Sequence, residues 1–154
     1  MTVRLGWLLV GVLAGAALLA IPWESTSDAG TGPAIVRITD RQLTQKRVDL
    51  GPRGTSPGDL EIVRHRLFDR TRSVIGRSEL VCTFVDNRRS RSCRGTYILP
   101  RGKIVVGGSL QYHQFYVLAV TGGTGLFDNA RGTVTVTRTA RRPVRDLVVI
   151  RLAG

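Results

Sequence analysis

The side chains that most often carry acid–base or metal chemistry are few in this chain. Histidine occurs twice, as His65 and His113, and neither stands in the spacing of a metal site or a Ser/His/Asp triad. No pair of carboxylates accompanies them, so the sequence predicts no metal and no cofactor. His113 lies in a loop-like stretch, residues 110–114. There it is either an acid or base near neutral pH or an exposed residue without a chemical role.

An apolar N-terminal segment indicates export. Residues 5–21 carry no charge, Arg4 precedes them, and a polar stretch beginning at Pro22 follows. A positive flank, an apolar core and a helix-breaking polar exit are typical of a secretory signal. Removal after about Ala29 and retention as a single membrane anchor both remain open. The predicted organisation is a signal or anchor over 1–23, a linker over 24–33 and one domain over 34–154, secreted or otherwise outside the cytoplasm.

The two cysteines, Cys82 and Cys93, flank a polar stretch that has strand-like residues on either side. This pattern predicts a hairpin whose facing strands bring the two thiols together. Outside the cytoplasm, two such thiols usually form a disulfide, so we predict a structural bridge. The alternative is a reactive thiol, but no histidine lies nearby in sequence to activate it.

The chain is strongly basic, with 23 lysines and arginines against 11 acidic residues and a net charge of +12. Such a balance indicates either a polyanionic partner or a solvated basic surface. Export disfavours nucleic acid, which leaves an anionic envelope polymer as the charged partner. The residues that would contact it are Arg88, Arg89, Arg91, Arg141, Arg142 and Arg145.

The 154 residues fit one domain, and their pattern favours β-strands. Thr133–Thr137 alternates threonine with valine, which places the two residue types on opposite faces of a strand. Short runs of this kind with turn residues between them predict an all-β antiparallel barrel or sandwich. The predicted runs are 35–39, 43–50, 60–68, 76–85, 93–99, 103–110, 115–121, 132–138 and 147–152.

Residues 121–137 read TGGTGLFDNARGTVTVT, which resembles the signature hairpin of the allene oxide cyclase and dirigent families. Further resemblances occur at 58–60 (Gly-Asp-Leu) and 73–77 (Ser-Val-Ile-Gly-Arg). The resemblance implies an eight-stranded antiparallel β-barrel whose lumen binds a small apolar or conjugated molecule. In the hairpin, the glycines fit backbone conformations closed to other residues and the phenylalanine packs under the turn. The hairpin residues are Gly122, Gly123, Gly125, Phe127, Arg131 and Gly132.

The family's site residues transfer only in part. The first strand, 35–39, lacks the glutamate and asparagine of the plant cyclase, so allene oxide cyclisation itself is not expected. Arg131 matches the signature arginine, and either faces the lumen or ties the hairpin down. If it faces inward, alternation places Thr133 and Thr135 beside it. The candidate ligand-binding residues are Arg131, Tyr97, Tyr112, His113, Thr133 and Thr135.

Three functions therefore remain after the sequence is read. The first is an exported barrel that binds a small apolar or conjugated molecule. The second is a cyclase or stereochemistry-directing enzyme, in which confinement of the substrate supplies much of the rate. The third is an arginine-rich surface module that binds an anionic envelope polymer. A homo-oligomer is also open, because members of the family often associate.

Overall fold

The computed structural model describes residues 35–87, 89–111 and 113–153. The predicted signal or anchor and the linker lie outside these residues. No helix in the described part of the chain has the length and hydropathy needed to cross a membrane.

Eight strands form the domain, and every sequential pair is antiparallel. The first strand also pairs with the last, which closes the sheet into a barrel. Inward positions alternate with outward ones along each strand, so one face of every strand fills the interior. The strands are β1 Ile35–Val48, β2 Leu60–Phe68, β3 Val74–Phe84, β4 Arg91–Leu99, β5 Gly102–Leu110, β6 Phe115–Gly125, β7 Arg131–Arg141 and β8 Val144–Ala153.

The first strand differs from the sequence prediction, which expected two runs. β1 is continuous, and its pairing with β2 shifts register between Gln42 and Thr44. Such a bulge inserts one residue and reverses which side chains face inward. The interrupted alternation therefore resembled a strand break, although the backbone stays extended through it.

One end of the barrel is filled by apolar side chains and capped by the turn between β6 and β7. Phe127 and Ala130 in this turn are buried against the core, as the resemblance predicted for Phe127. Gly125 has φ +64°, in the left-handed region that favours glycine. Gly123 is required for space, because a Cβ there would lie 2.0 Å from the Phe127 carbonyl oxygen. The same prediction was wrong for Gly122, where a Cβ would meet open space.

The opposite end carries the long connection between β1 and β2, and the buried carboxylate of Asp59 organises it. Its Oδ1 accepts bonds from the Leu50 amide (3.0 Å) and the Ser56 hydroxyl (3.1 Å). Its Oδ2 accepts bonds from the Ser56 amide (2.9 Å) and from Arg47 (2.9 Å). These bonds, the backbone amides first, hold the pKa of Asp59 well below its usual range. The connection is therefore tied down beside the barrel opening.

Candidate functional site

The barrel interior has an apolar half and a polar half. The apolar half lies above the β6–β7 turn and contains fully buried residues such as Ile104, Val134 and Ile150. The polar half lies towards the opposite end, at the β1–β2, β3–β4, β5–β6 and β7–β8 connections. Its buried polar side chains are Asp40, Glu61, His65, Ser78, Arg91 and Asp146. Polar groups this deeply buried are costly, so they mark a candidate site.

The polar half holds a cavity of about 90 Å³. Arginine, histidine, tyrosine and carboxylate side chains line it, including His65, Arg91, Tyr116, Arg138 and Asp146. Two larger depressions, of 530 and 370 Å³, lie on the outside of the barrel near Arg37 and Asp69. The interior cavity is below the ~300 Å³ usual for a small-molecule pocket. A conjugated ligand therefore needs the interior to open.

Asp40 and Asp146 face each other inside the barrel, at paired positions of β1 and β8. Asp146 is ion-paired with Arg138, whose Nε donates to Asp146 Oδ1 at 2.6 Å and whose Nη2 donates to Oδ2 at 3.4 Å. Asp40 Oδ1 is buried and has no hydrogen-bond partner. Burial, with the neighbouring Asp146 carboxylate adding to it, raises the pKa of Asp40 to about 7. The pair therefore combines a carboxyl that holds a proton near neutral pH with a carboxylate that is charge-compensated.

The groups around the carboxyl pair keep their neutral forms. Burial lowers the pKa of His65, whose Nδ1 lies 3.3 Å from the Ser78 hydroxyl, so its imidazole is uncharged at neutral pH. Burial raises the pKa of Tyr97 well above the ordinary value, and that of Tyr116 likewise. Both phenols therefore remain protonated and serve as hydrogen-bond donors. Tyr97, which the sequence named as a ligand-binding candidate, is buried in the barrel interior.

Asp40, His65 and Asp146 also form a set that could ligate a metal, since one atom of each lies within 4.8 Å of the others. The sequence interpretation that no acid cluster accompanies a histidine was wrong, because these residues come from three different strands. Arg138 already bonds both oxygens of Asp146, and its positive charge disfavours a second cation there. We therefore assign this cluster to proton chemistry.

A chain of hydrogen bonds closes the cavity at its open end. Gln42 donates to Gln45, and Gln45 donates to Glu61. Arg91 donates to Glu61 and, through its second terminal nitrogen, to His113 Nε2. Partial burial, and next the positive charge of Arg91, lower the pKa of His113, so its ring is neutral and accepts this bond. His113 thus lies at the mouth, where the sequence placed a candidate acid or base.

Arg91 was predicted to belong to an exposed polymer-binding cluster, and that prediction was wrong. Its side chain is 1% exposed and points into the barrel, where it lies 5.2 Å from the Phe84 ring centre. The reason is its position as the first residue of β4, opposite Phe84, where alternation turns it inward. Four other arginines of the set are exposed at this end: Arg89, Arg141, Arg142 and Arg145. Arg88 lies outside the described residues.

Three candidate ligand-binding residues face away from the lumen. Val134 and Val136 of β7 are buried, so Arg131, Thr133 and Thr135 occupy the outer face of that strand. Arg131 instead donates to the carbonyl oxygens of Thr121 (3.3 Å) and Ala130 (3.1 Å), which ties the hairpin down. The inward placement expected for all three was therefore wrong, because the core selects the valines of the alternation. Tyr112 lies outside the described residues.

Cys82 and Cys93 form the predicted disulfide. They are directly paired across β3 and β4, and both side chains are buried inside the barrel. Cys82 also lines the cavity. The bridge therefore stabilises the hairpin and forms part of the wall of the candidate site.

The sequence reading missed Asp40, Asp146 and Arg138. A signal for the two acids existed: Ile38 precedes Asp40 and Val148 follows Asp146 at the same inward periodicity. A carboxylate that interrupts such an apolar series is a candidate lumen residue. Arg138 gave no comparable signal, since it ends an alternation that a register shift between Arg138 and Ala140 then breaks.

Comparison with solved structures places this architecture among known proteins. A pterocarpan synthase dirigent protein is similar over 77% of this chain and 85% of its own, with 12% identity and a TM-score of 0.62. The chain has the dirigent-type barrel fold. This confirms the fold that the signature hairpin predicted.

Other dirigent-type barrels are also similar to this chain. Pyocyanin demethylase matches 77% of this chain and 99% of its own, with 22% identity and a TM-score of 0.68. A nonspecific heme-binding cyclase that catalyses a [4 + 2] cycloaddition in neoabyssomicin biosynthesis matches 82% and 70%, with 17% identity and a TM-score of 0.60. Comparisons with protein-family models and with curated protein sequences found no match.

Proposed function

We propose that the protein is a proton-transfer enzyme, of the tautomerase or isomerase type, that acts on a small conjugated molecule in the polar half of the lumen. The observation that carries this proposal is the buried pair Asp40 and Asp146, of which only Asp146 has a guanidinium partner. Environments that push two carboxyl groups apart in pKa assign one as acid and the other as base.

In the proposed reaction, protonated Asp40 donates its proton to one atom of the conjugated substrate. Asp146 accepts a proton from another atom of the same substrate, so the substrate gains and loses one proton and its net composition is unchanged. Transfer of a proton back from Asp146 to Asp40, directly or through water, restores the starting state. Arg138 keeps Asp146 anionic until it accepts the proton, and the Tyr116 phenol supplies a neutral donor to a developing negative charge.

Substrate enters, on this proposal, through the end closed by Arg91 and His113. The cavity of about 90 Å³ is smaller than a conjugated ring system requires, and these two side chains separate it from solvent. Separation of Arg91 from His113 enlarges the cavity towards the open end. The walls that the ring then meets are partly apolar, including Val63, Leu80 and Leu110.

The similar structures support a conjugated substrate. Pyocyanin, which the name of one similar barrel gives as its substrate, is a planar conjugated heterocycle. The cyclase and the dirigent protein also process unsaturated molecules, according to their titles. We propose the same class for this chain, and we propose that it works outside the cytoplasm, consistent with the apolar segment at residues 5–21.

Solvent-deuterium exchange tests the proposal. The full chain is incubated in D₂O with a panel of planar heterocycles and enones, including pyocyanin, and incorporation is followed by NMR and mass spectrometry. We expect at least one compound to exchange faster with the protein. The expected loss in Asp40→Asn or Asp146→Asn is about 100-fold or more, the usual size of a general acid–base contribution.

The matched control is Asp128→Asn, which alters an exposed carboxylate on the β6–β7 turn and leaves the lumen unchanged. It is expected to retain wild-type exchange. Turnover that survives in Asp40→Asn would overturn proton transfer and show that confinement alone provides the catalysis. Absence of exchange across the panel with the folded wild-type chain would overturn the choice of substrate class.

A further inference from the structure

The outer surface of the barrel is divided by charge. Between the strand ends, the outward positions of β1–β4 carry seven charged side chains: Arg37, Arg41, Arg64, Arg66, Arg77, Glu79 and Arg94. The corresponding positions of β5–β8 carry none. They are Val105, Gly107, Ser109, Phe115, Val117, Ala119, Thr121, Thr133, Thr135, Thr137, Thr139, Leu147 and Val149, which we call the neutral face.

The neutral face is continuous across neighbouring strands. Val117 pairs with Thr135, which pairs with Val149, so three uncharged side chains form its central row. Phe115, Thr137 and Leu147 form the adjacent row in the same way.

Large apolar groups in these rows remain open to solvent. Phe115 is 57% exposed and Val117 46%, and Leu147 is 38% exposed. Contiguous exposed apolar surface on a soluble domain marks a contact site.

We propose that a second copy of this chain covers the neutral face. Each chain has a net charge of +12, so two copies repel wherever arginine-bearing faces meet. The neutral face allows approach without opposing like charges. A polyanion is excluded as its occupant, because the face offers no cation to bind one.

The composition of the face also fits the centre of a protein interface. Interface cores are depleted in charge, whereas their rims are polar. Arg131, Arg145 and Arg151 border the face and would form such a rim; Arg151 already donates to the Thr135 hydroxyl at 3.4 Å. The thirteen residues of the neutral face are about half of the 20–30 that a standard interface uses on each side. Rim residues therefore have to supply the remainder.

Analytical ultracentrifugation of the full chain in a density-matched detergent tests this proposal. The decisive variant is Val117→Arg, in the central row, and the matched control is Val81→Arg, on the outer face of β3. The two valines have nearly equal exposure, 46% and 44%, and both variants retain the N-terminal segment. We expect wild type and Val81→Arg to sediment as a multiple of the chain mass, and Val117→Arg as one chain.

A monomeric wild type at about 0.1 mM would overturn the proposal, as would a Val117→Arg assembly of wild-type mass. Single-cysteine variants provide an independent measurement. Val117→Cys is expected to form an interchain disulfide on oxidation, and Val81→Cys is not. No cross-link with Val117→Cys, or equal cross-linking in both variants, would also overturn it. None of these outcomes depends on turnover, so the proposed function is tested separately.

Discussion

Asp40 and Asp146 occupy directly paired positions inside the barrel, yet only one of them has a cationic partner. The closure of β1 against β8 creates this asymmetry. It places a carboxyl without compensation next to a carboxylate that Arg138 holds in place. The proposed acid and base therefore follow from which of two neighbours the arginine contacts.

The first prediction concerns Arg138→Gln. The Arg138 cation lowers the pKa of Asp40, so its removal is expected to raise that pKa. The high-pH limb of kcat/KM, which reports loss of the acid, should then move to higher pH, by up to about one unit. A pH–rate profile measures the shift. Arg141→Gln, which alters an exposed arginine of the same strand, serves as control, and an unmoved limb in Arg138→Gln would contradict the assignment.

The second prediction concerns stability and pH. The pKa of Asp40 is about 7 in the folded chain and near 3.8 when unfolded, so the unfolded chain loses its proton first as pH rises. The Asp40 contribution to the free energy of unfolding should therefore fall between pH 4 and 7, by about 4 kcal/mol. Asp40→Asn removes this contribution. Urea titrations of both chains across this range measure the difference, which would stay constant if Asp40 did not titrate there.

The third prediction separates Arg131 from catalysis. Its guanidinium binds two carbonyl oxygens of the hairpin and does not reach the lumen. Arg131→Ala is therefore expected to leave kcat and KM unchanged and to lower the free energy of unfolding by about 0.5–1 kcal/mol. Turnover assays and urea titration on the same preparation check both. Loss of turnover at unchanged stability would instead place the arginine in the active site.

The fourth prediction concerns the disulfide. Cys82 and Cys93 are 11 positions apart, and a loop of this size contributes about 3 kcal/mol in the chain-entropy model. Replacing both cysteines with alanine is expected to reduce the free energy of unfolding by about this amount. It should also enlarge the cavity that Cys82 lines. Denaturant titration measures the first effect, and the reduced wild-type chain serves as the comparison.

Local patterns were sufficient for the fold and the hairpins. Alternation, turn residues and the signature hairpin together predicted an eight-stranded barrel, the pairing of Cys82 with Cys93 and the burial of Phe127. These features depend on neighbours along the chain or across one turn, so their signals are contained in short segments. The β1 bulge shows the limit of such signals, because a one-residue register shift resembles the end of a strand.

The candidate site depends on contacts that no short segment contains. Asp40 comes from the first strand and Asp146 from the last, and they meet because the sheet closes on itself. Their pKa difference arises from burial and from Arg138, neither of which a composition or spacing expresses. The inward face of β7 was likewise undecided by its alternation, since threonine and valine fit either side of a strand. The packed core took the valines, and Arg131 therefore faces outward.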